Sequence, residues 1–223
     1  MSGPQKALVE DTLYMQVFML GTMGLLVMLP ESVTKWDLDA LDDKSLSERW
    51  KEHVKAGPVK DEDDMFINYI GHPVSGAWYY TMARNDGMDP FESFLYSTFI
   101  STFIWEYGYE AFAEIPSIQD LIATPVIGSL LGEYMYYLEG ELDENKGKIW
   151  GYQGLGSFSY FLIDPIGNIA DGLSGFFDLH VTMKFETYQP NYSKEQMKFN
   201  YMLNKPVGQY SRWDYGVIIN LEF

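Results

Sequence analysis

Period-two alternation near the C-terminal end, preceded by long apolar segments with helical punctuation, predicts an α+β chain. The expectation is a mostly helical body of four to six helices followed by a C-terminal three-stranded antiparallel β-meander. Composition agrees with a folded core: 47% of the 223 residues are hydrophobic and 17% aromatic, which excludes a disordered chain. The same punctuation divides the chain into an apolar helix with an acidic connector (residues 1–64), a helical domain (65–177) and a strand region (178–223).

The charge balance narrows the function classes. Fifteen Lys and Arg stand against 32 Asp and Glu, a net −17. Phosphate binding needs clustered bases, so no nucleic-acid partner is expected. Cysteine is absent, which removes disulfides, thiolate nucleophiles and Cys-based metal centres. No cofactor is expected.

Thr12 to Pro30 runs 19 positions without a charge, near the roughly 20 residues that cross a bilayer core. Glu10 and Asp11 precede it, with Lys6 as the nearby base, and no small-x-small site comes before Glu31, so a signal peptide fits poorly. An exported form would have lost its signal ahead of Met1. The segment reads either as a buried helix docked on the body or as a membrane or interfacial helix. Glu31 to Asp64 then turns polar, with short helical patterning and a Gly57-Pro58 break before an acidic run, a connector or cap with a solvated surface.

The middle of the chain holds the unusual residues. A helix through His72-Pro73 is expected to end at Asn85-Asp86-Gly87, where glycine suits a left-handed cap. Asp89-Pro90 opens a long aromatic helix, with Asp as N-cap and Pro at its first position. Ser117 restarts the chain in a third helix, which Pro125 should kink and in which Gly128 and Gly132 allow another helix to approach closely. From Met88 to Asp143 there are ten acidic residues and no Lys, Arg or His. Glu106, Glu110 and Glu114 fall at i, i+4, i+8. On an exposed face they form a polar stripe; if buried, they require protonation, an Arg such as Arg84, or a cation. Ile149 to Phe177, dense in glycine and aromatics, reads as loops with short helices.

At the C-terminal end, alternation runs through Leu179–Phe185, Met197–Leu203 and Trp213–Phe223, with turns at Pro190-Asn191 and Lys205-Pro206-Val207-Gly208. The last run, with Tyr215, Gly216 and a terminal Phe223, resembles the C-terminal signature of bacterial outer-membrane β-barrels. Three strands cannot close a barrel, so either other segments add strands, several chains of a homo-oligomer or a barrel-forming partner contribute to one barrel, the strands form a sheet covering the helices, or their apolar face lies against a partner.

Read together, NYIGHPVSGAWYY, ARNDG and EIPSIQDLIATPVIGSLLGEYMY resemble the bacterial envelope family known as domain of unknown function 3943, over about Asn68 to Tyr137. The resemblance implies a Gram-negative envelope protein and supplies no activity. Two functions are therefore expected. The first is a non-catalytic protein of the outer membrane or the periplasmic face of the envelope, with a structural, lipid-binding or partner-binding role and lipid or membrane as its partner. The alternative is a lipid-active hydrolase or transferase with His72 as general base, Glu106 or Glu110 assisting, and Asp120 and Glu133 as orienters or ligands. No HExxH-type spacing accompanies His72.

Overall fold

In a computed structural model of the chain, residues 3–30, 34, 36, 45–60, 65–177, 180–188 and 214–222 are described. They fall into two compact units, Ser2–Phe177 and a C-terminal one from Asp178 to Phe223. Among the described residues of the first are seven α-helices: α1 (Gly3–Met28), α2 (Leu46–Ala56), α3 (His72–Asn85), α4 (Pro90–Phe99), α5 (Ile118–Glu144), α6 (Gln153–Ile163) and α7 (Pro165–Phe177). Two π-helical stretches extend this set, Ile67–Gly71 leading into α3 and Ile100–Tyr109 continuing α4.

The helix ends follow the local chemistry. Gly87 takes φ 86° after α3, and the Met88 N–H closes back on the Ala83 carbonyl. The Asp89 carboxylate accepts from the N–H groups of Phe91 and Glu92 while Glu92 reaches back to the Asp89 N–H, a complete capping box. Ser117 caps α5 by accepting from Asp120 N–H at 3.1 Å.

At the centre, α3 and α5 touch backbone to backbone. A Cβ added to Gly76 would lie 2.0 Å from the Thr124 carbonyl oxygen; one at Gly128 would lie 2.8 Å from Gly76 Cα, and one at Gly132 2.8 Å from the Ala77 carbonyl. The close approach expected of Gly128 and Gly132 is therefore present, with Gly76 as the matching small residue. The order of these contacts along both helices makes them parallel, so His72 and Asp120 start at the same end. Helix α4 runs antiparallel to α3 and is tied to it where Ser97 Oγ donates to the Gly76 carbonyl (2.9 Å).

The packing inverts the usual polarity of helices. On α4, Ser93 and Ser97, with Ser101 just beyond, face inward, whereas Phe91, Leu95, Phe99 and Phe103, also four apart, are exposed. On α5, Thr124, Gly128, Ser129 and Gly132 are buried, and Ile118, Ile122, Leu130, Tyr134 and Tyr137 point outward. A soluble helix buries its apolar stripe; small inward and large outward residues are the arrangement of helices that pack within lipid. Helix α1 docks one face, with Met15 and Met19 joining Tyr79, Met82, Ile100 and Ile166 in the apolar core, and leaves Val17, Leu20, Leu25 and Met28 exposed. Its segment Gln5–Met28 is long and apolar enough to cross a membrane.

In the C-terminal unit, β1 (His180–Tyr188) and β2 (Asp214–Glu222) pair antiparallel along their full length, Val181 opposite Leu221 and Phe185 opposite Val217. The middle strand of the expected meander, Met197–Leu203, and Phe223 lie outside the described residues.

The helix contact gives a direct stability test. Gly128→Val forces a side chain into the Gly76 backbone and is expected to destabilise the helical unit by about 1–3 kcal/mol or more, the range of overpacked cores. Gly140→Ala, on the same helix with open space around it, is expected to hold or raise stability by up to about 1 kcal/mol. Thermal unfolding of both variants reads the difference.

Candidate functional site

The parallel start of α3 and α5 and the antiparallel return of α4 bring three ligand-type side chains to one end of the helical unit. His72 is the first residue of α3, immediately after the π-turn Ile67–Gly71. Asp120 sits in the first turn of α5. Glu106 comes from the π-helical continuation of α4. His72 Nε2 lies 3.7 Å from Asp120 Oδ2, and one donor atom from each of His72, Glu106 and Asp120 falls within 4.8 Å of the others. Glu106 is 1% and Asp120 3% exposed. Glu106 Oε2 accepts from the Ser117 N–H at 3.0 Å, so the residue that caps α5 also fixes the second carboxylate. π-Turns are uncommon and concentrate at functional sites; here one lies on each side of the cluster.

Those turns explain where sequence spacing misleads. Counting by four places Glu106, Glu110 and Glu114 on one face, but the chain through Glu106 is π-helical and tightens to a 3₁₀ turn at Glu110–Phe112. Glu106 is consequently interior and not part of a solvated stripe. The Glu110 carboxyl is pushed well above the ordinary carboxylate range, first by burial, then by the charges of Glu106, Glu114 and Asp120 and a hydrogen bond with Glu106.

The irregular end of this rod leaves carbonyls that α2 satisfies. Trp50 Nε1 donates to the Tyr107 carbonyl (2.7 Å), His53 Nδ1 lies 2.9 Å from the Ala111 carbonyl, and an Arg49 guanidinium nitrogen donates to the Ala113 carbonyl (3.2 Å). The polar connector thus acts as a cap on the segment that carries the site, a role that no single motif in it announces.

His72 also faces a cavity of about 280 Å³ beneath α1. Phe18, Leu26, Trp36 and Trp105 supply apolar walls, and His72 and Glu110 stand among its few polar groups. The arrangement can hold a long apolar group against an imidazole that a buried carboxylate orients.

Arg84 and Glu133 lie elsewhere. Arg84 Nε is 3.0 Å from Glu133 Oε2, its guanidinium stacks 4.3 Å over the Tyr136 ring, and Tyr80 OH donates to the same carboxylate oxygen at 2.7 Å. Thirteen positions along α5 separate Glu133 from Asp120, about 20 Å at 1.5 Å per residue. Arg84 therefore compensates Glu133 and not the Glu106–Glu110 pair, and Glu133 does not orient His72. Tyr215 and Gly216 belong to β2 of the C-terminal unit, opposite Thr187 and Glu186.

A second carboxylate group went unread in the sequence because four separate segments assemble it. Asp11, Asp86, Glu139, Asp164 and Asp171 line a polar cavity of about 420 Å³. Asn85 Nδ2 donates to Asp164 Oδ2 (2.9 Å) and to Glu139 Oε2 (3.0 Å). Burial, then the neighbouring Asp11 carboxylate, pushes Asp86 up to about 8; burial raises Asp11 to about 6.

Residues 57–166 match the family described as Domain of unknown function (DUF3943). The matched segment begins before Asn68 and continues past Tyr137, and it contains His72, Glu106 and Asp120 together. No curated protein and no solved structure matches the chain.

The Asp86 group sets a pH dependence. A carboxyl that holds its proton in the folded state and releases it when unfolded favours the fold at low pH; that stability is lost as pH rises from the ordinary value of 3.8 toward about 8. The unfolding midpoint is expected to fall between pH 5 and pH 8, and Asp86→Asn to flatten the slope across that window. Denaturation at fixed ionic strength measures both.

Proposed function

We propose that this chain is a non-catalytic, outer-membrane-associated envelope protein of a Gram-negative bacterium. Its helical unit sits against lipid and holds an apolar chain in the cavity beneath α1. The observation that carries this reading is the inverted polarity of α4 and α5: Leu130 is 74% and Phe103 59% exposed, while serines and glycines occupy the interior. Contiguous apolar faces of this kind mark membrane or partner contact. The apolar walls under α1 and the amphipathic alternation in the sequence of β2 support the same assignment.

A second reading, a lipid-active hydrolase or transferase, draws on His72 facing both the apolar cavity and Asp120, with Glu106 and Glu110 beside it. Loss of turnover on phospholipid in His72→Ala, with the fold retained, would select it; absence of turnover in the parent chain removes it.

The membrane reading is tested by Leu130→Arg. Against lipid, a central arginine costs about 2.5–3.5 kcal/mol, whereas an exposed position in water tolerates substitution within about 0.5 kcal/mol. The parent chain is expected to stay in the outer-membrane pellet after carbonate and high-salt washing, and the variant to shift toward the soluble or degraded fraction. Unchanged stability of the variant together with release of the parent chain would make these faces water-exposed.

A further inference from the structure

We propose that His72, Glu106 and Asp120 hold one divalent transition-metal ion of the zinc, manganese or iron(II) type. The inference is independent of the lipid reading, since it rests on the donor set and its immediate surroundings.

The donor chemistry suits such an ion. One imidazole nitrogen and two carboxylate oxygens are borderline-to-hard ligands, and their atoms converge within 4.8 Å from three different elements. Each is held by its own local structure: Asp120 by the capped first turn of α5, Glu106 by the Ser117 N–H, His72 by the π-turn that precedes Pro73. A ligand set fixed in this way needs little rearrangement on binding.

Charge argues in the same direction. Two carboxylates this close and this buried repel strongly in a low-dielectric interior. A dication cancels both charges and leaves the imidazole neutral, the form that ligates metal. A second observation points to a ligand at this place. Thr124, one turn beyond Asp120 on α5 and part of the cavity wall with His72, is buried, and its hydroxyl has no hydrogen-bond partner among the described residues. A water on an ion held by the three side chains would give that hydroxyl a partner. Three protein ligands leave further coordination positions for such a water or for a polar group of a cavity ligand.

The test uses the full chain in detergent micelles, stripped with chelator and titrated calorimetrically with Zn²⁺ and with Mn²⁺, with bound metal counted by mass spectrometry. One equivalent per chain is expected for at least one of the two ions. Affinity should fall at least tenfold in Glu106→Gln, Asp120→Asn and His72→Ala, and remain unchanged in Glu133→Gln and Asp164→Asn. Circular dichroism checks each fold. Should the ligand variants fail to fold, Co²⁺ substitution of the parent chain provides the second readout: ligand-field absorption with paramagnetically shifted histidine resonances supports the site. Failure to take up stoichiometric metal, affinity unaffected by the three ligand variants, or equal loss in Asp164→Asn overturns it.

Discussion

The contact between the backbones of α3 and α5 constrains everything else in the helical unit. Gly76 against Thr124, Gly128 against Gly76 and Gly132 against Ala77 leave no room for a side chain between the two helices. Large residues on α5 must therefore point away from the seam, and serines and threonines, small enough to fit, take the inward positions, where two of them, Ser97 and Thr81, donate to backbone carbonyls. Ser97 to Gly76 and Thr81 to Ala77 and Gly132 are such bonds. The parallel orientation that the seam enforces also sets His72 beside Asp120. One steric fact thus accounts for both the apolar exterior and the polar cluster.

The cluster depends further on departures from ideal helix. Regular α-helical continuation of α4 would carry Glu106 round with the 3.6-residue period. The π-helical stretch instead delivers it to the Ser117 N–H, and the carbonyls at the end of that rod find donors on Arg49, Trp50 and His53 of α2. A buried end without such partners would cost roughly 1–3 kcal/mol for each unsatisfied group. Helix α2 is polar on its outside and spends part of its polarity on this one task, which explains how a segment with the composition of a connector belongs to the architecture of the site.

What was legible in the sequence is what short-range chemistry determines. The Asp89-Pro90 start, the Ser117 start, the Gly87 stop and the close approach at Gly128 and Gly132 all rest on one or a few residues acting on their own backbone, and all are present. What was not legible depends on period or on distance. The i, i+4 spacing of Glu106, Glu110 and Glu114 leaves open whether their face is exposed or buried, and the π-helical chain settles it by turning Glu106 inward, hydrogen-bonded to Glu110. Arg84 was one of three ways to compensate a buried carboxylate face, beside protonation and a cation, yet it pairs with Glu133, at the other end from Glu106. Asp11, Asp86, Glu139, Asp164 and Asp171 come from four segments, and no local pattern links them. The conjunction of His72 with Asp120 was visible only as two residues in one family-like block; their 3.7 Å separation follows from the glycine seam.

On the proposed membrane placement, the distribution of charge along the three packed helices limits how deep the unit can sit. Residues 93–105 and 121–132, 13 and 12 positions, contain no Asp, Glu, Lys, Arg or His, and neither do the 11 positions of the matching stretch of α3, residues 73–83. At 1.5 Å per residue these give an uncharged band of about 17–20 Å, bounded by Glu106, Glu110 and Asp120 at one end and by Arg84, Asp89 and Glu133 at the other. A bilayer core measures about 30 Å, so the band is too short to match it. At one end burial raises the Glu110 carboxyl well above the ordinary range, and at the other Arg84 pairs with Glu133, which reduces the charge at both ends without making them apolar. A helical unit placed in lipid as proposed above would therefore occupy only part of the membrane's thickness, with the exposed phenylalanines of α4 and the aliphatic stripe of α5 toward acyl chains and the acidic ends toward headgroups or water. In that setting the His72 cluster lies at the boundary between the two media, where a polar headgroup and its apolar chain would meet the site together.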